Sequence, residues 1–409
     1  MNGWKNSFPH HPKKMPSLLL KPGREKSLLR RHPWIFSGAI ASIEDAPQLG
    51  DTVEVLDSQG KFLASAAYSP HSQIRARVWT FKNDEPVDVD FFRRRIQSAL
   101  DARATFRLST VTDAYRLIHA ESDFLPGLIV DRYGEMLVMQ SLTAGSEYWR
   151  DVIADLLLEL THTLTIYERS DADVRELEGL PLRAGLLRGE SPAEFITVVE
   201  NGLSFSVDYK KGHKTGLYLD QRDNHLRIRN LAQGRDVLDC FCYTGGFTVN
   251  ALAGGAKSVV AVDTSSAALA LSRENVVLNK LPIEKVEWLE GDVFQVLRRL
   301  RDQGLSFDMV ILDPPKFAQT AAQAERAVRG YKDINLLALK LLRPGGLLVT
   351  FSCSGGVSVD LFQKIVAGAA LDAGVDAQIV EFLSQSLDHP VSLNFPEGRY
   401  LKGLICLHA

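Results

Sequence analysis

The sequence predicts an α/β protein whose C-terminal half forms a doubly wound, mostly parallel sheet. Short apolar runs alternate there with helical stretches, turn-bounded strands dominate residues 17–80, and 409 residues exceed one ordinary domain. We therefore expect an irregular extension over 1–15, a small β domain over 16–86, an α+β domain over 87–200, and an α/β domain over 201–409 that begins with a hairpin segment at about 201–224.

The first two domains are indicated by apolar or alternating segments separated by turn signals. The β domain has predicted strands at Thr52–Leu56, Phe62–Tyr68 and Ile74–Thr80. The middle domain has predicted helices at Val89–Leu108 and Tyr148–Leu160, and predicted strands at Ala114–His119, Leu128–Asp131, Met136–Ser141 and Leu164–Glu168. Asn201-Gly202 predicts a hairpin between Ile196–Glu200 and Leu203–Val207.

The C-terminal half repeats a strand–helix pattern, which the handedness of crossovers favours as a Rossmann-like sheet. Its predicted strands are Val237–Phe241, Ser258–Val262, Val286–Glu290, Met309–Leu312 and Gly346–Phe351. Its predicted helices are Phe247–Ala253, Ser266–Asn279, Asp292–Gln303 and Gln323–Leu342. Two further strands, Gln378–Leu383 and Leu401–Leu407, close the chain.

Composition excludes several classes of protein. With 45% hydrophobic and 24% charged residues and a net charge of −3, the chain has the composition of an ordinary globular protein. Its four cysteines, at 240, 242, 353 and 406, match neither a disulfide framework nor a zinc spacing, so we expect no metal and a reducing, cytoplasmic compartment. We find no signal peptide after the early lysines and no run of about 18 apolar residues, so no membrane span is expected.

Positive charge is concentrated near the N-terminus. Eight basic residues there, Lys5, Lys13, Lys14, Lys21, Arg24, Lys26, Arg30 and Arg31, are accompanied by Glu25 alone. Such a cluster either lies on nucleic-acid phosphates or forms a solvated, partly disordered terminus.

The turn after the first parallel strand suggests the class of ligand. It reads Asp-Cys-Phe-Cys-Tyr-Thr-Gly-Gly-Phe over 239–247, where glycines allow close approach to the backbone, but it is not GxGxxG and no phosphate-loop lysine follows. S-adenosylmethionine (SAM) lacks phosphate, and its amino-acid end needs a carboxylate and backbone amides. Asp239 beside Gly245 and Gly246 can supply both.

Three more acids follow successive strands. We expect Asp263 to bind ribose hydroxyls, Asp292 to bind the adenine amino group, and Asp313 to complete the set. One such acid alone is often only a helix N-cap, but four in register with a glycine-rich turn indicate a SAM site. An NAD-binding domain is the alternative, which the missing third glycine and the Asp313-Pro314-Pro315 sequence disfavour.

These motifs resemble those of class I SAM-dependent methyltransferases. Four further segments narrow the resemblance: 216–224 (GLYLDQRDN), 329–335 (RGYKDIN), 351–355 (FSCSG) and 388–391 (DHPV). Leu18–Thr80, with HPWIFSG at 32–38, is similar to a PUA domain, an RNA-binding β-barrel. Together they resemble the bacterial large-subunit rRNA cytosine-C5 methyltransferase family over nearly the whole chain after residue 15.

The resemblance implies SAM as cofactor, S-adenosylhomocysteine as product and large-subunit rRNA as partner. It implies cofactor contacts from Asp239, Phe241, Tyr243, Thr244, Gly245, Gly246, Asp263, Asp292, Val293, Asp313, Gln221 and Arg222. Substrate contacts are expected from Pro314, Pro315, Lys316, Phe317, Lys332 and His389, and from Lys21, Arg24, Lys26, Arg30 and Arg31 in the β domain. A lone histidine before proline is more often structural, and an exposed loop lysine is the plainer interpretation of Lys316.

Methylation of cytosine at carbon 5 needs a nucleophile, because that carbon is itself unreactive. A thiolate that adds at C6 makes C5 reactive, and it leaves after a base removes the C5 proton. Cys353 follows the fifth predicted parallel strand in a loop of small residues, and the resemblance also makes it the nucleophile. An inert buried cysteine is the alternative. Asp313 is the expected partner, holding N3 of the target base by a hydrogen bond or a proton.

One residue departs from the wider RNA cytosine-C5 group. Many of its members carry a second cysteine after the motif-four proline, where this chain has Pro315. The narrower family is similar in lacking it, so the departure weakens only the wider match.

Two other functions stay open at this point. A guanine-nitrogen RNA methyltransferase would use Asp313–Phe317 without a nucleophile, and a non-catalytic RNA-binding assembly factor would keep the fold as a scaffold. The target base must be flipped or unpaired to be reached. A homodimer through the small domain also stays open, because the sequence shows no recognisable interface pattern.

Overall fold

The computed structural model describes residues 15–190, 193–317 and 324–409. The expected N-terminal extension, with Lys5, Lys13 and Lys14, therefore lies outside the described residues apart from Met15. The described chain forms two compact units, one comprising residues 15–106, 116–190 and 392–396, the other 107–115, 193–391 and 397–409.

The first unit opens with a six-stranded sheet in the order β2-β6-β5-β4-β1-β3. Its strands are β1 (Ser17–Leu20), β2 (Trp34–Phe36), β3 (Ile40–Glu44), β4 (Thr52–Leu56), β5 (Phe62–Tyr68) and β6 (Ile74–Thr80), with the short helix α1 (Lys26–Leu29) between β1 and β2. Alternation in β4 buries Val53 and Val55 on one face, where they meet Leu18 and Ala66 in a single apolar core. The three predicted strands β4, β5 and β6 are confirmed at their predicted bounds.

The same unit contains a five-stranded sheet in the order β11-β10-β9-β8-β7. Its strands are β7 (Ala114–His119), β8 (Leu128–Tyr133), β9 (Met136–Ser141), β10 (Thr165–Ser170) and β11 (Arg183–Arg188), and its helices are α2 (Val89–Thr105), α3 (Ala144–Tyr148), α4 (Arg150–Thr161) and α5 (Val174–Leu177). The helix predicted over Tyr148–Leu160 is two helices, because the chain changes conformation at Trp149. Strand β11 was not predicted, since its sequence Arg-Ala-Gly-Leu-Leu-Arg shows neither a long apolar run nor apolar alternation.

The second unit begins with a separate hairpin, β12 (Ile196–Glu200) and β13 (Leu203–Val207), in the predicted register around Asn201-Gly202. The domain boundary expected between residues 200 and 201 falls inside this hairpin. In the structure both strands of the hairpin belong to the second unit. Helix α6 (Arg222–Leu231) follows.

A seven-stranded sheet forms the rest of this unit, in the order β16-β15-β14-β17-β18-β20-β19. Its strands are β14 (Asp236–Cys240), β15 (Ser258–Asp263), β16 (Val286–Glu290), β17 (Phe307–Leu312), β18 (Leu342–Ser352), β19 (Ala377–Leu383) and β20 (Lys402–His408). Its helices are α7 (Gly246–Ala253), α8 (Ser266–Leu278), α9 (Val293–Asp302), α10 (Ala324–Leu341) and α11 (Val359–Ala373). Strands β14 to β18 pair in parallel, whereas β20 is antiparallel to both neighbours.

This topology confirms the α/β class and the doubly wound sheet. The order of the strands along the chain reverses between β14 and β17. Because β14, β15, β17 and β18 are parallel, their carboxyl ends lie at one edge of the sheet. Open α/β sheets bind ligands at such a reversal. None of the helices in the described part of the chain is long and apolar enough to cross a membrane.

Candidate active site

A cavity of about 330 Å³ opens at this edge of the sheet. Its walls come from the segment before α6, from the loops after β14, β15, β17 and β18, and from the start of β20. The lining residues are His213, Lys214, Leu217, Tyr218, Asp220, Gln221, His225, Phe241, Cys242, Tyr243, Thr244, Gly246, Phe247, Asp263, Thr264, Asp313, Pro314, Pro315, Lys316, Cys353 and Leu401. The structure thus brings together Asp263, Asp313, Cys353 and most of the predicted glycine-rich turn.

The turn after β14 has an unusual backbone. Phe241, Tyr243 and Gly245 have φ angles of 62°, 48° and 84°, a left-handed region that non-glycine residues rarely adopt. A Cβ on Gly245 would lie 2.3 Å from Ser272 Oγ, and one on Gly246 would lie 2.5 Å from His225 Cε1. Helix α7 therefore starts against its neighbours, and its first backbone amides are close to the cavity.

Asp263 at the end of β15 is fixed by its own backbone surroundings. Its Oδ2 accepts a hydrogen bond from Tyr243 N, and its Oδ1 accepts one from Ser265 N, both at 2.9 Å. Because the side chain is partly exposed and lines the cavity, its oxygens can still accept hydrogen bonds from hydroxyl groups. This position suits the expected contact with a ribose.

Asp239 lies elsewhere than the sequence suggested. It has no exposed surface and is not among the cavity-lining residues, because it turns toward α7 and accepts a 2.7 Å hydrogen bond from Thr248 Oγ1. Its Oδ1 has no hydrogen-bond partner among the described residues. Burial raises the pKa of Asp239 to about 6, which the Thr248 hydrogen bond partly opposes.

Asp292 and Val293 are not among the cavity-lining residues either. Asp292 is the N-cap of α9, and its Oδ1 accepts a 3.0 Å hydrogen bond from Gln295 N. Val293 is buried in the main core of the second unit. The N-cap interpretation therefore accounts for the described contacts of Asp292.

Asp313 follows β17 and is oriented by Gln221. The amide Nε2 of Gln221 donates to Asp313 Oδ2 at 3.0 Å. Burial, together with the nearby charge of Asp220, raises the pKa of Asp313 to about 7. The carboxyl group is thus held close to the balance between its protonated and ionised forms at neutral pH.

Cys353 follows β18 and lines the same cavity. It is partly exposed, whereas Cys240, Cys242 and Cys406 are buried. Its thiol lies 3.9 Å from the carbonyl oxygen of Pro314. Burial raises the pKa of Cys353, and the charge of Asp313 adds to this, while Lys214 and Lys316 act in the opposite direction. The resting sulfur is therefore a thiol, and its ionisation has to accompany the reaction.

The loop after β17 carries the expected substrate contacts. Pro314, Pro315 and Lys316 line the cavity. Phe317 is not among the lining residues, since it packs on Tyr331 with ring centroids 4.7 Å apart.

Several other predicted contacts lie away from the cavity lining. Arg222 is buried in a bidentate ion pair with Asp388, at 2.8 and 3.0 Å, and His389 lies beside that carboxylate. Lys332 forms an ion pair with Asp372 at 2.7 Å. Their described contacts are ones that stabilise the fold.

The basic candidates of the first unit are all exposed: Lys21, Arg24, Lys26, Arg30 and Arg31. Arg24 and Lys26 line a surface cavity of about 370 Å³ together with Trp34. Trp34 donates to Glu121 Oε1 at 2.8 Å and packs on Phe395, so it is held within its unit.

Two site features were missed by sequence reasoning. His225 lines the cavity, and its Nδ1 is 2.7 Å from Oε1 of the buried Glu200, whose Oε2 has no hydrogen-bond partner among the described residues. Lys402 is buried where β20 starts, and its Nζ donates to Ser354 O at 2.7 Å. A hairpin strand supplies Glu200 and the chain's last strand supplies Lys402, so no local pattern indicates either.

These residues fit SAM better than a phosphate-bearing cofactor. Carboxyl groups at 263 and 313, a histidine beside the start of α7 and the aromatic Phe241 and Tyr243 surround the cavity. Buried carboxylate oxygens without partners, on Asp239 and Glu200, lie next to the residues that form its wall. Among the described residues no cluster of potential metal ligands is present.

Comparison with known proteins agrees with this assignment. Residues 182–390 match the S-adenosylmethionine-dependent methyltransferase family, and residues 18–81 match a PUA-like domain. The chain is 54% identical over 389 residues to the ribosomal RNA large subunit methyltransferase I of Yersinia pseudotuberculosis serotype O:1b (strain IP 31758), covering 95% of this chain and 98% of that protein. The Yersinia pestis protein of the same name is equally similar.

Solved structures show the same fold. A protein from Streptococcus mutans assigned as a SAM-dependent methyltransferase superposes with a TM-score of 0.83 at 24% identity, over 96% of this chain and 99% of that chain. A methyltransferase structure in complex with S-adenosylhomocysteine has a TM-score of 0.84 at the same identity and coverage. The cofactor of this chain is S-adenosylmethionine, and the chain belongs to the ribosomal RNA large subunit methyltransferase I family.

Proposed function

We propose that this protein methylates carbon 5 of a cytosine in large-subunit ribosomal RNA, with Cys353 as the attacking nucleophile. The substrate class follows the printed name of its relatives. The observation that carries the chemistry is that the one partly exposed cysteine lines the same cavity as Asp313 and the cofactor residues.

Cys353 and Asp313 together perform the addition. Asp313 accepts the thiol proton while the sulfur adds at C6, and it delivers a proton to N3, so that a neutral thiol adds across the conjugated ring. Burial favours this role, because a carboxyl group with a pKa of about 7 exchanges protons readily at neutral pH. The ring then carries its electron density at C5, where the cofactor, when bound, would supply an electrophilic methyl group. Loss of the C5 proton to a base then breaks the bond between C6 and the sulfur, and N3 returns its proton through Asp313 to the departing thiolate.

The surrounding residues hold the cofactor and the base. We assign Asp263 to the ribose, Phe241, Tyr243, Thr244 and the start of α7 to the remainder of the cofactor, and Gln221 to the orientation of Asp313. His225, which is held by Glu200 and lies against Gly246, would bind the cofactor's carboxylate. Pro315 and Lys316 are exposed, so they meet the RNA.

The PUA-like domain binds RNA through its exposed basic residues. Lys21, Arg24, Lys26, Arg30 and Arg31 contribute phosphate contacts, which depend on salt and carry little sequence information. The position of the methylated base is then set by the cavity in the second unit.

The test is methyl transfer from labelled SAM to rRNA from a strain that lacks the gene, followed by digestion to nucleosides. Wild type, Cys353→Ala and Cys242→Ala are compared on naked rRNA and on ribosomal particles. Cys242 lines the same cavity but is buried, so it is the matched control. We expect label in 5-methylcytidine from wild type and Cys242→Ala, and a loss of at least about 10³-fold in Cys353→Ala.

Label in a methylguanosine would contradict the proposal and favour the guanine-nitrogen alternative, for which the Asp313–Phe317 sequence is the supporting observation. Full activity in Cys353→Ala would show that Cys353 is not the nucleophile. Absence of label on both RNA and particles would favour a non-catalytic role.

A further inference from the structure

Lys402 contacts both residues that neighbour Cys353 in the chain. In the β18–β20 ladder it pairs with Ser352, the residue before the cysteine. Its ammonium donates a 2.7 Å hydrogen bond to the carbonyl oxygen of Ser354, the residue after it. The backbone of Lys402 thus pairs with the residue before the thiol, and its side chain holds the residue after it.

The charge of Lys402 is unusual for its position. The residue is 5% exposed, and no carboxylate of the described residues lies within ion-pair distance of its Nζ. Burying an ammonium without a counter-charge is costly. Burial accordingly lowers the pKa of Lys402 to about 8, whereas the ionised form of Cys353 acts to raise it.

We propose that Lys402 is a positioning residue for Cys353, whose ammonium orients the cysteine loop and stabilises the thiolate as its missing counter-ion. The proposal deepens the function assigned above and rests on it only in taking Cys353 as the reacting group. It explains why a lysine occupies a buried position that an apolar residue would fill at lower cost.

Other charged groups also face Cys353. Asp313 and Asp220 oppose its ionisation, Lys214 and Lys316 favour it, and Tyr331 holds the same loop through a 3.0 Å hydrogen bond between its hydroxyl and Ser354 Oγ. Lys214 and Lys316 are exposed, so water and salt screen their charges. Lys402 differs because it is buried and held in place, so water and salt screen its charge less than theirs.

The test is the rate of alkylation of Cys353 by iodoacetamide as a function of pH, in the full-length protein without RNA. Peptide mapping separates Cys353 from the buried Cys240, Cys242 and Cys406, which serve as internal references. Lys402→Gln keeps a hydrogen-bond donor but removes the charge, and Lys402→Arg keeps the charge. Lys402→Met supplies a second charge-free variant that tolerates burial, and Lys316→Gln is the exposed-lysine control.

We expect Lys402→Gln and Lys402→Met to slow alkylation at pH 7 about tenfold, because Lys402, with a pKa of about 8, is still charged at that pH. The difference from wild type should shrink above pH 8, where Lys402 loses its proton. Lys402→Arg and Lys316→Gln should stay close to wild type. Equal rates at pH 7 in all variants would overturn the proposal, as would equal slowing in the arginine and glutamine variants, since packing alone would then explain it.

This result is independent of the test of function. Alkylation reports the thiol without RNA or methyl transfer, whereas Cys353→Ala reports whether the reaction uses that thiol. Unchanged alkylation rates at pH 7 in the Lys402 variants, together with an inactive Cys353→Ala, would refute only the role of Lys402.

Discussion

The two units of this protein differ in how completely their buried charged groups are paired. In the described part of the first unit, each of five buried arginines faces a carboxylate: Arg77 with Glu178, Arg103 with Asp123, Arg116 with Asp131, Arg169 with Asp171 and Arg175 with Glu147. Buried ion pairs of this kind fix a fold without necessarily adding net stability, because desolvation offsets their attraction. Their common feature is that each buried positive charge has a carboxylate partner.

Around the cavity of the second unit, the matching is incomplete. Asp239 and Glu200 each have a buried carboxylate oxygen without a partner among the described residues, and Lys402 has no carboxylate within ion-pair distance. The pKa of Asp313 is raised by burial to about 7. The contrast concerns charges rather than single atoms, since isolated unpartnered atoms such as Arg175 Nη2 also occur in the first unit. Perturbed groups around a cleft are typical of functional sites.

Breaking a matched pair should have the largest effect on stability. Arg116→Met leaves Asp131, which has no exposed surface, without the two hydrogen bonds it receives at 2.8 and 2.9 Å. We expect the free energy of unfolding to fall by about 3–5 kcal/mol, because the buried carboxylate of Asp131 loses its bidentate ion pair. Urea denaturation measures this.

The control for that experiment is Arg298→Met, which breaks an exposed pair with Asp333. It should cost much less than Arg116→Met, since water screens that pair. Comparable losses in the two variants would contradict the distinction, as would a change of cofactor affinity in the folded fraction of Arg116→Met.

Changing a cavity residue whose partner, Glu200, keeps one oxygen unmatched should affect the ligand more than the fold. His225→Gln is expected to weaken binding of S-adenosylhomocysteine about tenfold, the cost of one hydrogen bond to a charged group, while the melting temperature changes little. Methylthioadenosine, which lacks the amino-acid end, should bind both proteins equally. Titration calorimetry with the two ligands measures the difference. An equal loss for both ligands would indicate a general distortion of the cavity rather than a contact with the carboxylate.

The smallest expected effect is on the pH dependence of stability. Because the pKa of Asp313 is raised in the folded state, its contribution is present below its ordinary value and is lost as the pH rises through about 7. Asp313→Asn should therefore reduce the decline in unfolding free energy between pH 4 and 7, by on the order of 1 kcal/mol after allowing for partial exposure. Denaturant titrations at several pH values test this, and an unchanged slope would show that burial does not perturb the group.

Much of the second unit could be predicted because its central strands are short apolar runs that are largely buried on both faces. The same logic gave β14, β15 and β17, and hence the places of Asp263 and Asp313 at the edge of the sheet. The position of Cys353 could be predicted because it follows the apolar run of β18 in a loop of small residues. Helix α11 was not recognised as a helix, and β11 lacks the apolar alternation that marks a strand.

Side-chain direction was not predictable from position alone. Asp239 and Asp292 follow strands as expected, yet one turns to Thr248 and the other caps α9. His225 and Lys402 act through partners that only the folded chain supplies, Glu200 from a hairpin and Ser354 from a neighbouring strand's loop. Sequence patterns indicate which end of the sheet binds the ligand, whereas the matching of charges within it is a tertiary property.

The most direct measurement is covalent trapping of the enzyme on RNA that contains 5-fluorocytidine, in the presence of SAM. Fluorine replaces the proton that must leave C5, so the thiol adduct forms, accepts the methyl group and cannot be released. We predict a stable protein–RNA complex from wild type, with the cross-link mapping to Cys353, and none from Cys353→Ala. A complex that persists in Cys353→Ala, or the absence of any complex while the same preparation still makes 5-methylcytidine on ordinary rRNA, would contradict the proposed role of Cys353.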